Sequence, residues 1–237
     1  MSVSIEQPTP ARSRLSFFTQ ALPVVMGYIP IGFAYGVLAV NAGLTLFQTV
    51  LMSFIVYAGS SQFIAVGMFA QAALPGSIIM TTLIVNLRHM LMSAALAPHL
   101  SRWKNSQVAA FCYELTDETF GVHSLRFERG ENQPGTTLLI NLTCQLSWVL
   151  GSFLGGAAGN LIQDVRPLAL DYALPAMFIA LLLLQIRKPL QVGIAIFSGL
   201  FSMILWVIGF TDWNVIVATV IGAAIGAGVE TWLKKQS

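Results

Sequence analysis

Five ionisable side chains and one amide lie in the middle of apolar sequence, and their types suit charge handling inside a membrane. Asn86, Arg88 and His89 sit in one hydrophobic run; Glu114, Asp117 and Glu118 sit in the next. Ionisable groups in lipid are costly, and by default they mark a substrate pathway or a proton relay. At about 100° per residue, a helix places Asn86, His89, Met90 and Ser93 on one face and turns Arg88 away from Asn86. Glu114, Asp117 and Glu118 are spaced i, i+3 and i+4, so a continuous helix would carry all three on one stripe, with Thr116 off it. Three carboxylates so close repel one another, an arrangement suited to taking up and releasing a proton or an ammonium group. Arg88 is too far from either end of its run to snorkel, so it must meet a carboxylate, carbonyls or a water-filled cavity. Histidine titrates near physiological pH, which makes His89 a candidate proton carrier. Blander readings exist for each: a structural ion pair for Arg88, a satisfied buried imidazole for His89, and a surface helix with solvated acids for residues 107–124.

The elements that must position these groups follow from composition. Of 237 residues, 56% are hydrophobic and 9% charged, whereas a soluble domain carries roughly 25% charged residues. Apolar runs fall at about 21–41, 46–72, 75–97, 107–124, 135–159, 168–186, 190–210 and 213–233, several of them near the ~20 residues a spanning helix needs. No alternating decamers of the barrel kind occur. The expected fold is therefore all-α, a polytopic bundle of about 7–8 segments, with residues 1–20 as a cytoplasmic tail and 21–234 as one transmembrane domain. Run 1 contains Pro23, Gly27, Pro30, Gly32 and Gly36, which predict a bent or broken helix near 23–36. Run 2 carries Tyr57-Ala58-Gly59-Ser60-Ser61-Gln62-Phe63, a small and polar insert able to unwind backbone beside a cavity. A continuous helix with Ser and Gln facing a neighbour is its alternative.

Two topologies fit the charges. Eight simple spans with the N-terminus inside put Arg126/Arg129, Arg187/Lys188 and Lys234/Lys235 in the cytoplasm but leave Arg102 and Lys104 outside. A re-entrant pair in run 2, with run 4 not fully crossing, brings Arg102 and Lys104 inside as well. Both keep the C-terminus cytoplasmic. Glycines four apart (Gly32 and Gly36; Gly151, Gly155 and Gly159; Gly222 and Gly226) predict close helix packing, within the bundle or against another subunit. A weak repeat links Ala21-Leu22-Pro23 with Ala173-Leu174-Pro175. Cys112 and Cys144 read as buried thiols. Scattered basic residues at segment ends argue against nucleic acid. No metal-ligand spacing, nucleophile elbow or phosphate loop is present, so neither a cofactor nor an enzyme is expected.

Taken together, Tyr57 to Phe63, Asn86-Leu87-Arg88-His89 and Glu114-Leu115-Thr116-Asp117-Glu118-Thr119-Phe120 resemble the three signature stretches of the AzlC family, the large subunit of branched-chain amino acid exporters. Leu22-Pro23 and Gly27-Tyr28-Ile29-Pro30-Ile31-Gly32-Phe33 are similar too, and the likeness runs along nearly the whole chain. It implies export of branched-chain amino acids, and often methionine, from the bacterial cytoplasm across the inner membrane, driven by the proton motive force. It also implies a small, roughly four-helix membrane partner of the AzlD type. Asn86 departs from the family, where Asp is frequent, so Arg88 lacks that neighbouring acid here. An amino acid needs a cationic or amide-rich end, an acidic end and an apolar pocket. Arg88 with Ser60, Ser61, Gln62 and Asn86 would supply the first, and Asp117 or Glu118 the second. Phe33, Tyr57, Phe63 and Met90 would form the pocket, leaving His89 or Glu114 for protons. A channel or carrier for another small molecule and a non-transporting scaffold subunit remain the alternatives.

Overall fold

The computed structural model describes residues 16–159, 161–162, 172, 175–176, 179, 182–183, 186, 188–210 and 214–236. All of their regular structure is helical. In chain order the helices are α1 (Ser16–Asn41), α2 (Leu46–Ile55), α3 (Gly59–Ala70), α4 (Pro75–Leu96), α5 (Asn105–Tyr113), α6 (Asp117–Glu128), α7 (Pro134–Gly159), α8 (Pro189–Val207) and α9 (Asn214–Gln236), with a 3-10 turn at Ala97–Leu100. Four stretches are long and apolar enough to cross a membrane: Phe17–Asn41, Pro75–Leu100, Pro134–Gly159 and Pro189–Val207. This is a polytopic helical membrane protein. The chain forms two compact units, residues 1–178 and 179–237. Asp171 and most of the run at 168–186 lie outside the described residues, as do Ala173 and Leu174 of the weak repeat.

The axis of the first unit is the pair α1 and α7. A Cβ on Gly36 would sit 2.3 Å from the Ser152 carbonyl oxygen, and one on Gly155 would sit 2.0 Å from that of Phe33. Only hydrogen fits there, so the glycines let the two backbones touch. This seam also accounts for a difference from expectation. α1 begins at Ser16 and runs unbroken through Pro23 and Pro30, so the helix is not interrupted near 23–36. Each proline removes one backbone bond, and close packing on a neighbour lets a buried membrane helix tolerate that loss.

Among the described residues two helices are broken, one of them at the Tyr57–Phe63 insert expected to unwind. α2 and α3 are separated at Val56–Ala58, where Tyr57 adopts a left-handed φ of 41°. α5 and α6 are separated at Glu114–Thr116. Run 4 is thus two half-helices, and Glu114 does not share a stripe with Asp117 and Glu118. Thr116 causes the restart: its hydroxyl accepts from the Thr119 N–H at 3.3 Å while its own N–H donates to Thr119 Oγ1 at 2.8 Å. That reciprocal cap satisfies donors that a continuous helix would have used internally.

The order short helix, break, short helix, turn, long helix therefore occurs twice, as α2–α3–α4 and as α5–α6–α7. Phe54 and Phe63 flank the first break, and Phe111 and Phe120 flank the second. Pro75-Gly76 opens α4 and Pro134-Gly135 opens α7; Asn86-Leu87 and Gln145-Leu146 fall at matching places along them. In the second unit α8 and α9 form a hairpin. Gly222 lies against Ser198, Gly226 against Ile194, and Lys188 Nζ pairs with Glu230 Oε1 at 2.8 Å.

Candidate functional site

The two breaks are tied to each other. Ending α2 at Ile55 frees carbonyls that a helix would otherwise use. Tyr113, the last residue of α5, donates its hydroxyl to the Phe54 carbonyl, with the Ile55 carbonyl 3.3 Å away. Gln145 Nε2 of α7 donates to the same Phe54 carbonyl at 3.2 Å. Unwound backbone is thereby satisfied by protein, the condition for irregular structure at membrane depth. Gly59 opens α3 against Trp148, where a Cβ would lie 3.0 Å from the indole edge.

The first turns of α3 and α6 meet α4 at a small cleft, whose floor and walls are Tyr28, Tyr57, Gly59 and Trp148. Arg88 on α4 joins the two turns. Its Nη2 pairs with Asp117 Oδ2 at 3.0 Å and also donates to Ser60 Oγ. Beside this pair, Tyr28 on α1 donates its hydroxyl to Glu118 Oε2 at 2.7 Å and lies 2.6 Å from Thr116 Oγ1. The acids stand in the first turn of α6, where a helix favours negative charge. The Tyr28 ring meets Trp148 edge-on at 5.3 Å and Tyr57 edge-on at 6.3 Å, so an aromatic box adjoins the charges. The enclosed space is about 10 Å³, room for a single water.

Among the described residues, three buried polar atoms in this cleft have no hydrogen-bond partner: Tyr57 Oη, Arg88 Nε and His89 Nε2. Leaving such a group unsatisfied costs roughly 1–3 kcal/mol. Tyr57 adds a second anomaly, since a bulky residue with positive φ is strained, and strain of this kind gathers at functional sites.

Of the candidate site residues, Tyr57, Ser60, Arg88, His89, Asp117 and Glu118 line this one cleft. Ser61, Gln62, Asn86 and Glu114 stand outside it. Ser61 donates to Asn86 Oδ1 at 2.5 Å, tying α3 to α4. Gln62 is fully buried with both ends engaged: Trp148 Nε1 donates to its Oε1 at 3.0 Å, and its Nε2 donates to Ser53 Oγ at 3.0 Å. Glu114 caps the end of α5. Of the apolar set expected to receive a side chain, only Tyr57 lines the cleft; Phe33 does not, Met90 is 67% exposed, and Phe63 packs on Tyr35. Tyr28, Thr116 and Trp148 line the cleft instead. No charge marks them in the sequence; the one hint was Thr116 three residues before Thr119, a cap pattern.

A second buried polar cluster holds α6 on α7. Arg126 Nη1 approaches His123 Nδ1 at 3.2 Å and Thr137 Oγ1 at 3.3 Å, and His123 Nε2 lies 2.7 Å from Asn141 Oδ1. Arginine only donates, so Nδ1 accepts and Nε2–H donates to the amide. Among the described residues no group of three or more His, Cys, Asp or Glu side chains is placed to hold a metal ion.

The sequence model described as AzlC protein matches residues 23–162, which contain every residue of the cleft. The chain belongs to the AzlC family. It is 30% identical to the "Inner membrane protein YgaZ" of Escherichia coli strain K12, over 76% of this chain and 78% of that protein. An "Uncharacterized membrane protein" of Archaeoglobus fulgidus is 32% identical over 85% of this chain and 89% of its own length. The "Branched-chain amino acid transport protein AzlC" of Bacillus subtilis strain 168 is 25% identical over 73% and 68%. No solved structure matches the chain. Membership in this AzlC family of membrane proteins supports a transport-related role for the protein.

Proposed function

We propose that this protein exports branched-chain amino acids, and methionine, from the bacterial cytoplasm across the inner membrane as a secondary transporter driven by the proton motive force. One observation carries the reading. Between two helix breaks, unspent hydrogen-bond donors, a guanidinium, two carboxylates and an aromatic box converge on a single cleft. A zwitterion with an apolar side chain offers complements to all of these: its carboxylate to Arg88, Ser60 and Tyr57, its ammonium to Asp117 and Glu118, and its side chain to Tyr28, Tyr57 and Trp148. With space for one water, the cleft is the closed form of such a site, and α4 must shift to admit an amino acid.

Re-entrant placement of both broken helices would bring Arg102, Lys104, Arg126 and Arg129 to one side, which we assign to the cytoplasm together with both termini. A small AzlD-type membrane subunit is part of the proposal. α4 carries Arg88 yet leaves Met80, Leu83, Met90 and Leu91 uncovered, a face such a subunit would cover.

The test is leucine and methionine flux in proteoliposomes, with and without the small subunit and an imposed pH gradient. Gradient-dependent leucine flux, reduced at least about tenfold in well-folded Arg88→Ala and Asp117→Asn proteins, is the expected result. Wild-type rates in both variants would remove these residues from the site. Flux indifferent to the gradient would favour a passive channel.

A further inference from the structure

The charges in the cleft do not balance, and the imbalance sits on one residue. Arg88 and Asp117 neutralise each other at 3.0 Å. Glu118 has no such partner: among the described residues no lysine, arginine or histidine forms an ion pair with it. Its neighbours on every packed element are neutral or already engaged. Tyr28 of α1 hydrogen-bonds it, Tyr57 at the first break lines the same cleft, and the Cys144 thiol of α7 is within electrostatic range. Arg88 and His89 of α4 line the opposite wall, with Arg88 committed to Asp117. Within the first turn of α6 the only other acid is Asp117, Glu128 stands at the far end of that helix, and Glu114 lies across the second break.

A carboxylate in this setting requires a counter-charge. The hydrogen bonds show how it is kept ready for one. The Thr119 N–H donates to Thr116 Oγ1; the Tyr28 hydroxyl donates to Glu118 Oε2, so the Thr116 hydroxyl donates to the Tyr28 oxygen. All donors in the chain point toward Glu118, and such aligned chains polarise one another.

We propose that Glu118 is the coupling residue of the transporter, holding a proton when the cleft is empty and the substrate's ammonium when it is loaded. The inference rests on the amino-acid reading above and moves the proton from His89 or Glu114 to the substrate site itself. The exchange balances: the carboxylic acid loses its proton to solvent as the ammonium arrives, and the carboxylate is reprotonated after the amino acid leaves. One group cannot serve both at once, so each amino acid carried one way is exchanged for one proton carried the other.

Purified protein in weakly buffered detergent provides the test, with leucine as ligand. Each leucine bound should release about one proton from the wild type, and leucine affinity should rise about tenfold per pH unit while Glu118 remains protonated in the empty protein. Glu118→Gln should release none and bind leucine more weakly at all pH values. Glu118→Asp should retain the release, which keeps the test decisive if the glutamine protein does not fold, and Glu114→Gln should release as the wild type does. Leucine binding without proton release, or release abolished by His89→Gln but not by Glu118→Gln, would overturn the proposal. Absence of leucine binding and flux in the wild type would instead overturn the amino-acid reading.

Discussion

At the residue scale the cleft is held by side chains that never face it. Gln62 fixes the Trp148 indole by its Nε1–H and is itself fixed by Ser53, which donates to Ser152 Oγ at 2.7 Å. The indole is therefore a rigid wall, and its size should set the largest side chain admitted. Trp148→Leu shortens that wall and removes the edge-on contact with Tyr28 and the stacking on Tyr35. The expected outcome is a shift of the phenylalanine-to-leucine flux ratio by about tenfold toward phenylalanine, since a methylene-scale change in an apolar pocket is worth about 1–3 kcal/mol. Parallel flux assays with both amino acids would read it. Charged and strained positions of the cleft were legible in the sequence because polarity in an apolar run stands out. Ser61, Gln62 and Asn86 stand out for the same reason, yet Ser61 and Asn86 bond to each other and Gln62 bonds to Trp148 and Ser53. Periodicity gives a face, but it does not say whether the neighbour is a ligand or another amide.

At the element scale, two half-helix breaks meet and a glycine seam holds the long helices behind them. The seam makes a sharp contrast testable. Gly155→Ala places a methyl 2.0 Å from the Phe33 carbonyl oxygen, whereas nothing lies within 4 Å of a methyl at Gly27 in the same pair of helices. Thermal unfolding in detergent should show Gly155→Ala destabilised by at least about 1–3 kcal/mol, the usual cost of overpacking. Gly27→Ala should be neutral or stabilised by up to about 1 kcal/mol, because alanine gives up less backbone freedom in a helix. The long helices were visible as apolar runs, with ends within a few residues of those observed for α4, α7 and α8. Neither the continuity of α1 nor the break in run 4 was visible. Prolines signal a lost bond but not the packing that compensates it, and the reciprocal Thr116–Thr119 cap competes with a helix pattern that looks unbroken. The duplicated order escaped notice because its copies share few residues beyond the Pro-Gly helix starts and the flanking phenylalanines.

At the scale of the whole molecule the repeat bears on orientation. If both broken helices are re-entrant, the two ends of α2–α3 open on one side of the membrane and the two ends of α5–α6 on the other. Single cysteines at Phe47 and Gln71, in a background with Cys112 and Cys144 replaced by serine, should both react with a membrane-impermeant maleimide added outside. Cysteines at Ser106 and Glu128 should react only after the membrane is opened. Labelling of Phe47→Cys and Gln71→Cys from opposite sides would make α2–α3 a full crossing instead. The closeness of the cleft also matters to the cell's energy economy. An ion in water travels with several water molecules around it, and a passage that closes to the size of one cannot accept that shell. On the export reading proposed above, a protein resting in this form would add no conductance to the membrane, so the driving potential would not be dissipated between turnovers.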